Sequence, residues 1–193
     1  MTQLVGYRYF TEHGLVGEAG LYYDYVVGAN GLFIRADNRF INASVCVGEA
    51  QVRGLQPMRT MFILKNGKIP WDLCHQAMNT LMSDALRENY LAIIWKDGAY
   101  ALVRPPQVGT EASCHYDRVA DTVMEIHSHA LMSSFFSGID TMDEQGMAVY
   151  GVVGHLEQLI PDIELRLGVY GYFDHLTLNE VFGDVPIMQP TAS

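Results

Sequence analysis

Residues 125–144 read EIHSHALMSSFFSGIDTMDE, and the chemistry open to this chain is concentrated there. His127 and His129 follow an apolar approach, Val123, Met124 and Ile126, that reads as the end of a buried strand. Side chains of a strand alternate faces, so residues two apart point the same way; both imidazoles can reach one ion while Ser128 faces the other side. Ser137 and Asp140 come next, in a Ser-Gly-Ile-Asp order that predicts the first turn of a helix. A spacing of three sets the hydroxyl and the carboxylate on neighbouring positions of that turn. Two neutral nitrogens and one anionic oxygen make three protein ligands and leave a fourth position for water. That is the composition of a catalytic zinc site, since a structural one closes with four protein ligands. The plainer alternatives are a pair of core histidines and, for Ser137, the N-cap of the helix that bears Asp140.

The spacing of His127, His129, Ser137 and Asp140 resembles the His-x-His-x(7)-Ser-x-x-Asp signature of the JAMM (JAB1/MPN/Mov34) metalloproteases, over roughly residues 68 to 175. The phrases FFSGIDTMDEQG, VYGVVG and LRLGVYGYF resemble more narrowly the JAB-type protein A of bacterial PRTRC cassettes. Such cassettes are similar to ubiquitin-conjugation operons, with a ThiF-like activating protein and small ubiquitin-like partners. The resemblance implies an α+β (α/β-like) fold, an MPN/JAB-type mixed sheet flanked by helices. It also implies a zinc-dependent peptidase or isopeptidase that cuts after the C-terminal tail of a ubiquitin-like protein. His127, His129 and Asp140 would then be the Zn2+ ligands, with Ser137 steadying the oxyanion. In that family the general base is a glutamate at the end of the first helix, entering the strand beside the metal strand. Glu88, in RENYLAIIW, stands in that place, although Leu91 occupies the position where the family commonly has glycine. Glu111, in the following loop, is the reserve candidate. Taken alone, Glu88 would be a solvated acid at a helix C-terminus, a poor place for an anion because the dipole there is already negative.

Other His-x-His chemistries fit less well. Metallo-β-lactamase-like sites want an aspartate and a further histidine directly after the pair, and Ala130 and Leu131 follow here. Cupins want a glutamate a few residues on, where Ser133, Ser134 and Phe135 stand. Zinc deaminases need a C-x-x-C, and zincins an H-E-x-x-H; neither occurs. The competing function of another class is a noncatalytic MPN-type scaffold or protein-interaction module, which would commonly have lost one or more ligands.

Composition narrows the partners. The formal charge is −10, with twelve basic residues scattered along the chain. This argues against nucleic acid, which needs clustered Lys and Arg, and favours another protein as partner. No run approaches the roughly 20 apolar residues of a membrane span, and MTQLVGYRYF has no basic region ahead of an apolar stretch, so the cytoplasm is expected. Cys46, Cys74 and Cys114 are odd in number and far apart, which reads as free thiols.

Along the chain, residues 1–66 predict a β-rich N-terminal region, with a hairpin signalled by Asn30-Gly31 and a turn at Asp37-Asn38. Residues 67–185 form the expected JAB/MPN-like domain. Pro70 opens an amphipathic helix of about four turns on Leu73, Ala77, Leu81 and Ala85. YLAIIW and AYALVRP pair around Lys96-Asp97-Gly98, and a loop runs from Pro105 to about Asp117. Val119 to His127 is the metal strand, one or two helical turns run to Gln145, and MAVYGVV and IELRLGVYG are further strands. Residues 186–193 form a terminal tail.

Overall fold

A computed structural model describes residues 3–110 and 113–185, so Glu111 and the tail 186–193 lie outside the described residues. The N-terminal strands are β1 (Val5–Thr11), β2 (Gly14–Val16), β3 (Tyr23–Gly28), β4 (Gly31–Asp37), β5 (Ile41–Glu49) and β6 (Met61–Leu64). They form one six-stranded sheet in the order β2-β1-β3-β4-β5-β6. Its pairs are antiparallel except β1 with β3. The β3–β4 hairpin forms, but its turn is Ala29-Asn30 and not Asn30-Gly31, because Gly28 pairs with Gly31. Gly31 carries the positive φ, 154°, at a point where a Cβ would overlap the carbonyl oxygen of Gly48. Asn30 serves elsewhere: its amide donates to Met58 O and accepts from Met58 N.

The chain then passes through β7 (Ile69–Pro70), α1 (Trp71–Met82), β8 (Tyr90–Lys96), β9 (Ala99–Val103), β10 (Gln107–Gly109), β11 (Cys114–Tyr116) and β12 (Thr122–Ser128). After these come α2 (Gly138–Asp143), β13 (Met147–Gly154), β14 (Asp162–Val169), β15 (Tyr172–Leu176), α3 (Leu178–Val181) and β16 (Phe182–Gly183). A second six-stranded sheet has the order β15-β14-β13-β12-β8-β9. The chain separates into two compact units. One holds the chain up to Gly67 with Phe136–Tyr150 and Arg166–His175; the other holds Lys68–Phe135, Gly151–Leu165 and the chain from Leu176 onward. The core of the first includes Val26, Phe33, Ile34, Ile41 and Val45, and that of the second Leu81, Leu91, Ile93, Met124 and Ile126.

The expected α+β fold, an MPN/JAB-type sheet flanked by helices, is overturned: the described chain is 48% strand and 12% helix, built on large sheets. The helix predicted from Pro70 shows why. It stops at Met82 after three turns, because short polar side chains beyond it offer the backbone other partners. Ser83 Oγ donates to Thr80 O (2.7 Å), and the Asn89 amide donates to Asp84 O (3.1 Å) and Arg87 O (3.0 Å). Leu86, one residue past the expected stripe's Ala85, is 69% exposed. The anticipated loop after Pro106 instead contains a short antiparallel ribbon, β10 with β11. By contrast, Asp97 (φ 53°) and Gly98 (φ 82°) close the β8–β9 hairpin with the two positive φ values that a primed turn requires.

In the second unit, the end of β13 at Gly154 passes close to the segment that follows β12. A Cβ built on Gly154 would overlap the backbone of Met132, Ser133 and Ser134. Gly154→Ala is therefore expected to destabilise the protein by about 1–3 kcal/mol or more, measured as a lowered urea midpoint at unchanged m-value.

Candidate metal centre

Strand β12 presents its residues in alternation: Met124, Ile126 and Ser128 are buried, while Glu125 and His127 are partly exposed on the opposite face. Antiparallel pairing with β8 sets His127 opposite Tyr90 and Ile126 opposite Leu91. Ser128 locks that register, donating its N–H to Asn89 O (2.9 Å) and accepting the Asn89 N–H on its hydroxyl (3.0 Å). His129 lies one residue past the strand. Its N–H donates to Val153 O (2.8 Å), and its carbonyl accepts the Met132 N–H (2.9 Å). Ala130 then turns the chain at φ 50°, a conformation costly for a residue with a Cβ. The Phe135 ring meets the His129 ring edge to face at 4.8 Å. Held in this way, the two imidazoles bring Nε2 to 3.3 Å from Nε2.

Asp140 is positioned from α2. Ser137 is its N-cap, with φ −76° and ψ 170°, and the two residues form a reciprocal capping box. The Ser137 N–H donates to Asp140 Oδ2 (2.6 Å), and the Asp140 N–H donates to Ser137 Oγ (3.2 Å). The serine oxygen thus serves the cap as an acceptor, in a bond that leaves its own hydroxyl proton for other use. The ligand atoms of His127, His129 and Asp140 all lie within 4.8 Å of one another.

This donor set fits zinc. Two nitrogens on a tetrahedral zinc, each about 2.0–2.1 Å from the ion, stand about 3.3–3.4 Å apart, which matches the separation of the imidazoles. A hydrogen bond between two neutral imidazoles would also hold them close, but it would not call a carboxylate to the same point. Imidazole and carboxylate suit zinc and other borderline divalent ions, and the absence of thiolate from the set argues against soft-metal binding.

Of the sequence-predicted residues, His127, His129 and Asp140 are brought together. Glu88 is not among the clustered groups. It stands six residues beyond the end of α1, in the segment that leads into β8, so the helix dipole does not bear on it. Two residues before Tyr90, it precedes the first residue of β8. Its N–H donates to Thr110 O (2.8 Å). A further acid, Glu125, shares the face of His127 two residues earlier, a placement the strand alternation itself announces. Burial raises the Glu125 carboxyl pKa above its ordinary value, while a hydrogen bond from Tyr90 and the charges of Arg118 and His127 oppose the rise.

Zinc titration of the purified protein is expected to show about one equivalent bound. His127→Ala should weaken it by more than about 100-fold, beyond the 10–100-fold typical of outer-shell changes. Isothermal calorimetry would measure both. Glu125 gives a pH signature: its folded pKa lies above the unfolded one, so the folded state holds this proton more tightly and stability falls as pH rises through that interval. Glu125→Gln should therefore gain more stability relative to wild type at pH 7 than at pH 4, in denaturant titrations at the two values. Comparison with models of known protein families gives no match to this chain, and comparison with curated proteins gives none.

Proposed function

We propose that the protein is a zinc-dependent peptidase or isopeptidase that cleaves after the extended C-terminal tail of a ubiquitin-like protein. The observation that carries this is the convergence of His127, His129 and Asp140, with Ser137 as the N-cap of the helix that bears Asp140. The ligand set has the signature of the JAMM metalloproteases, and the proposal rests on the site, not on the fold. When bound, zinc would supply Lewis acidity and bring the pKa of a water to about 7. Glu88 takes the proton of the attacking water and passes it to the leaving amine, the two transfers that amide hydrolysis requires. The Ser137 hydroxyl donates toward the developing oxyanion, a contribution on the order of 10²–10³ in rate where such donors have been removed. No side chain forms an acyl intermediate in this scheme.

The metal strand limits how a substrate can approach. β12 has β13 on one side and β8 on the other, and the edges of that sheet are β9 and β15. Main-chain pairing of a substrate tail directly with β12 is therefore excluded; the tail must reach the ligands past the end of the strand. The proposed setting is the cytoplasm, where Cys46, Cys74 and Cys114 would stay reduced. No described helix is long and apolar enough to cross a membrane. The proposed partners are small ubiquitin-like proteins encoded with a ThiF-like activating protein.

Incubation with such proteins bearing C-terminal extensions, read by intact mass, should show release of the extension, with loss on chelation. Glu88→Gln should keep zinc and lose about 10²–10⁴-fold in cleavage rate; a metal-loaded variant cleaving at the wild-type rate removes Glu88 from the mechanism. A wild-type protein that binds no zinc would favour the noncatalytic interaction module.

A further inference from the structure

Helix α2 carries Asp140, yet it is six residues long and none of its residues is buried. A helix this short does not hold its shape through its own hydrogen bonds. Its acids compound the problem, since Glu144 caps the C-terminal end, where the helix dipole is negative. The compensating group is Arg166, a charged residue 8% exposed within β14. Its Nε and Nη2 both donate to Glu144 Oε2, at 2.9 and 2.6 Å, and its Nη1 donates to Thr141 Oγ1 at 3.3 Å. The planar guanidinium lies between two aromatic rings, with Cζ 3.8 Å from the centroids of Phe136 and Phe173.

These contacts surround Asp140 on both sides along the chain. Phe136 precedes the capping serine, Thr141 follows the aspartate and donates from Oγ1 to Ser137 O (3.1 Å), and the Glu144 N–H donates to Asp140 O (2.9 Å). Phe136, Thr141 and Glu144, on either side of Asp140 along the chain, thus all meet one guanidinium.

We propose that Arg166 is the positioning residue of the metal centre, fixing the Asp140 carboxylate where the two imidazoles can share an ion with it. The inference rests on the proposed metal centre. Arg166 touches neither ion nor substrate; it acts through Glu144, Thr141 and Phe136. Its effect has a sign that a bare charge does not share. As a cation near the site, Arg166 repels a divalent ion, so removing it would tighten metal binding if charge alone mattered. As a positioning residue, its removal loosens Asp140 and weakens metal binding.

The test is Co2+ titration of the full chain, followed by visible ligand-field absorption, with thermal unfolding of the metal-free protein alongside. Wild type is expected to bind one equivalent. Arg166→Met should bind about 10–100-fold more weakly, with an altered spectrum as the carboxylate leaves the coordination sphere. Arg166→Lys, which keeps the charge but not the planar two-armed fork, should recover little. Should Arg166→Met fail to fold, Phe173→Leu removes one face of the sandwich and should weaken binding several-fold. A folded Arg166→Met or Phe173→Leu protein with wild-type affinity and spectrum overturns the role of Arg166 and leaves the metal centre intact, as does tighter binding. A wild-type protein that takes up no cobalt overturns both.

Discussion

The register of β12 against β8 is the constraint on which the site depends. Strand side chains alternate with a period of two, so a slip of one residue would turn His127 and Glu125 into the core and bring Ile126 and Ser128 out. Three features oppose such a slip. Met124 and Ile126 are almost wholly buried on the inner face. The shift in pairing between Thr122 and Met124 takes up an irregularity before the histidines are reached. Ser128 and Asn89 exchange two hydrogen bonds that only this alignment allows. Ser128, which brings no ligand, is thus what aims the ligands on either side of it.

The two sources of ligands are stabilised in different ways. The imidazoles come from a strand end next to buried neighbours, including all eight residues of β13. The carboxylate comes from an exposed single turn held by polar contacts: a capping box at one end and a sandwiched guanidinium at the other. Burial is not directional, whereas hydrogen bonds and stacked planes are, so the less buried ligand is the one held by angle-sensitive contacts. Preorganisation of this sort would serve the proposed hydrolysis, in which small displacements of ligands are costly to rate.

The candidate site was more legible in the sequence than the fold, because its logic is local. Residues two apart on a strand and three apart across a helix start meet whatever the rest of the chain does. Helix length was less legible: Leu73, Ala77, Leu81 and Ala85 keep the helical spacing, but nothing in that spacing weighs the turn-forming bonds of Ser83 and Asn89. The helix-flanked architecture failed with it, since it was carried over with the metal motif and not read from hydrophobic periods. The three-residue strands β10 and β11 are too short to show alternation. Asn30-Gly31 marked the correct hairpin one residue late, since Gly31 was needed for its close approach to Gly48 and not as a central turn residue. Arg166 left one trace, a cation in the middle of an apolar strand, where a buried charge requires partners.

The backbone of Tyr90 shows a different kind of provision. The last β8–β9 rung joins Ala92 to Val103, and continuing the ladder would bring Pro105, which has no N–H, opposite Tyr90. The Gln107 carboxamide fills the place, accepting the Tyr90 N–H (2.7 Å) and donating to the Tyr90 carbonyl (3.0 Å). A side-chain amide thereby imitates one strand residue and then ends the ladder. Unpaired rungs are where foreign chains nucleate intermolecular sheets. The Pro-Pro-Gln sequence thus leaves the Tyr90 rung paired where the β9 ladder stops.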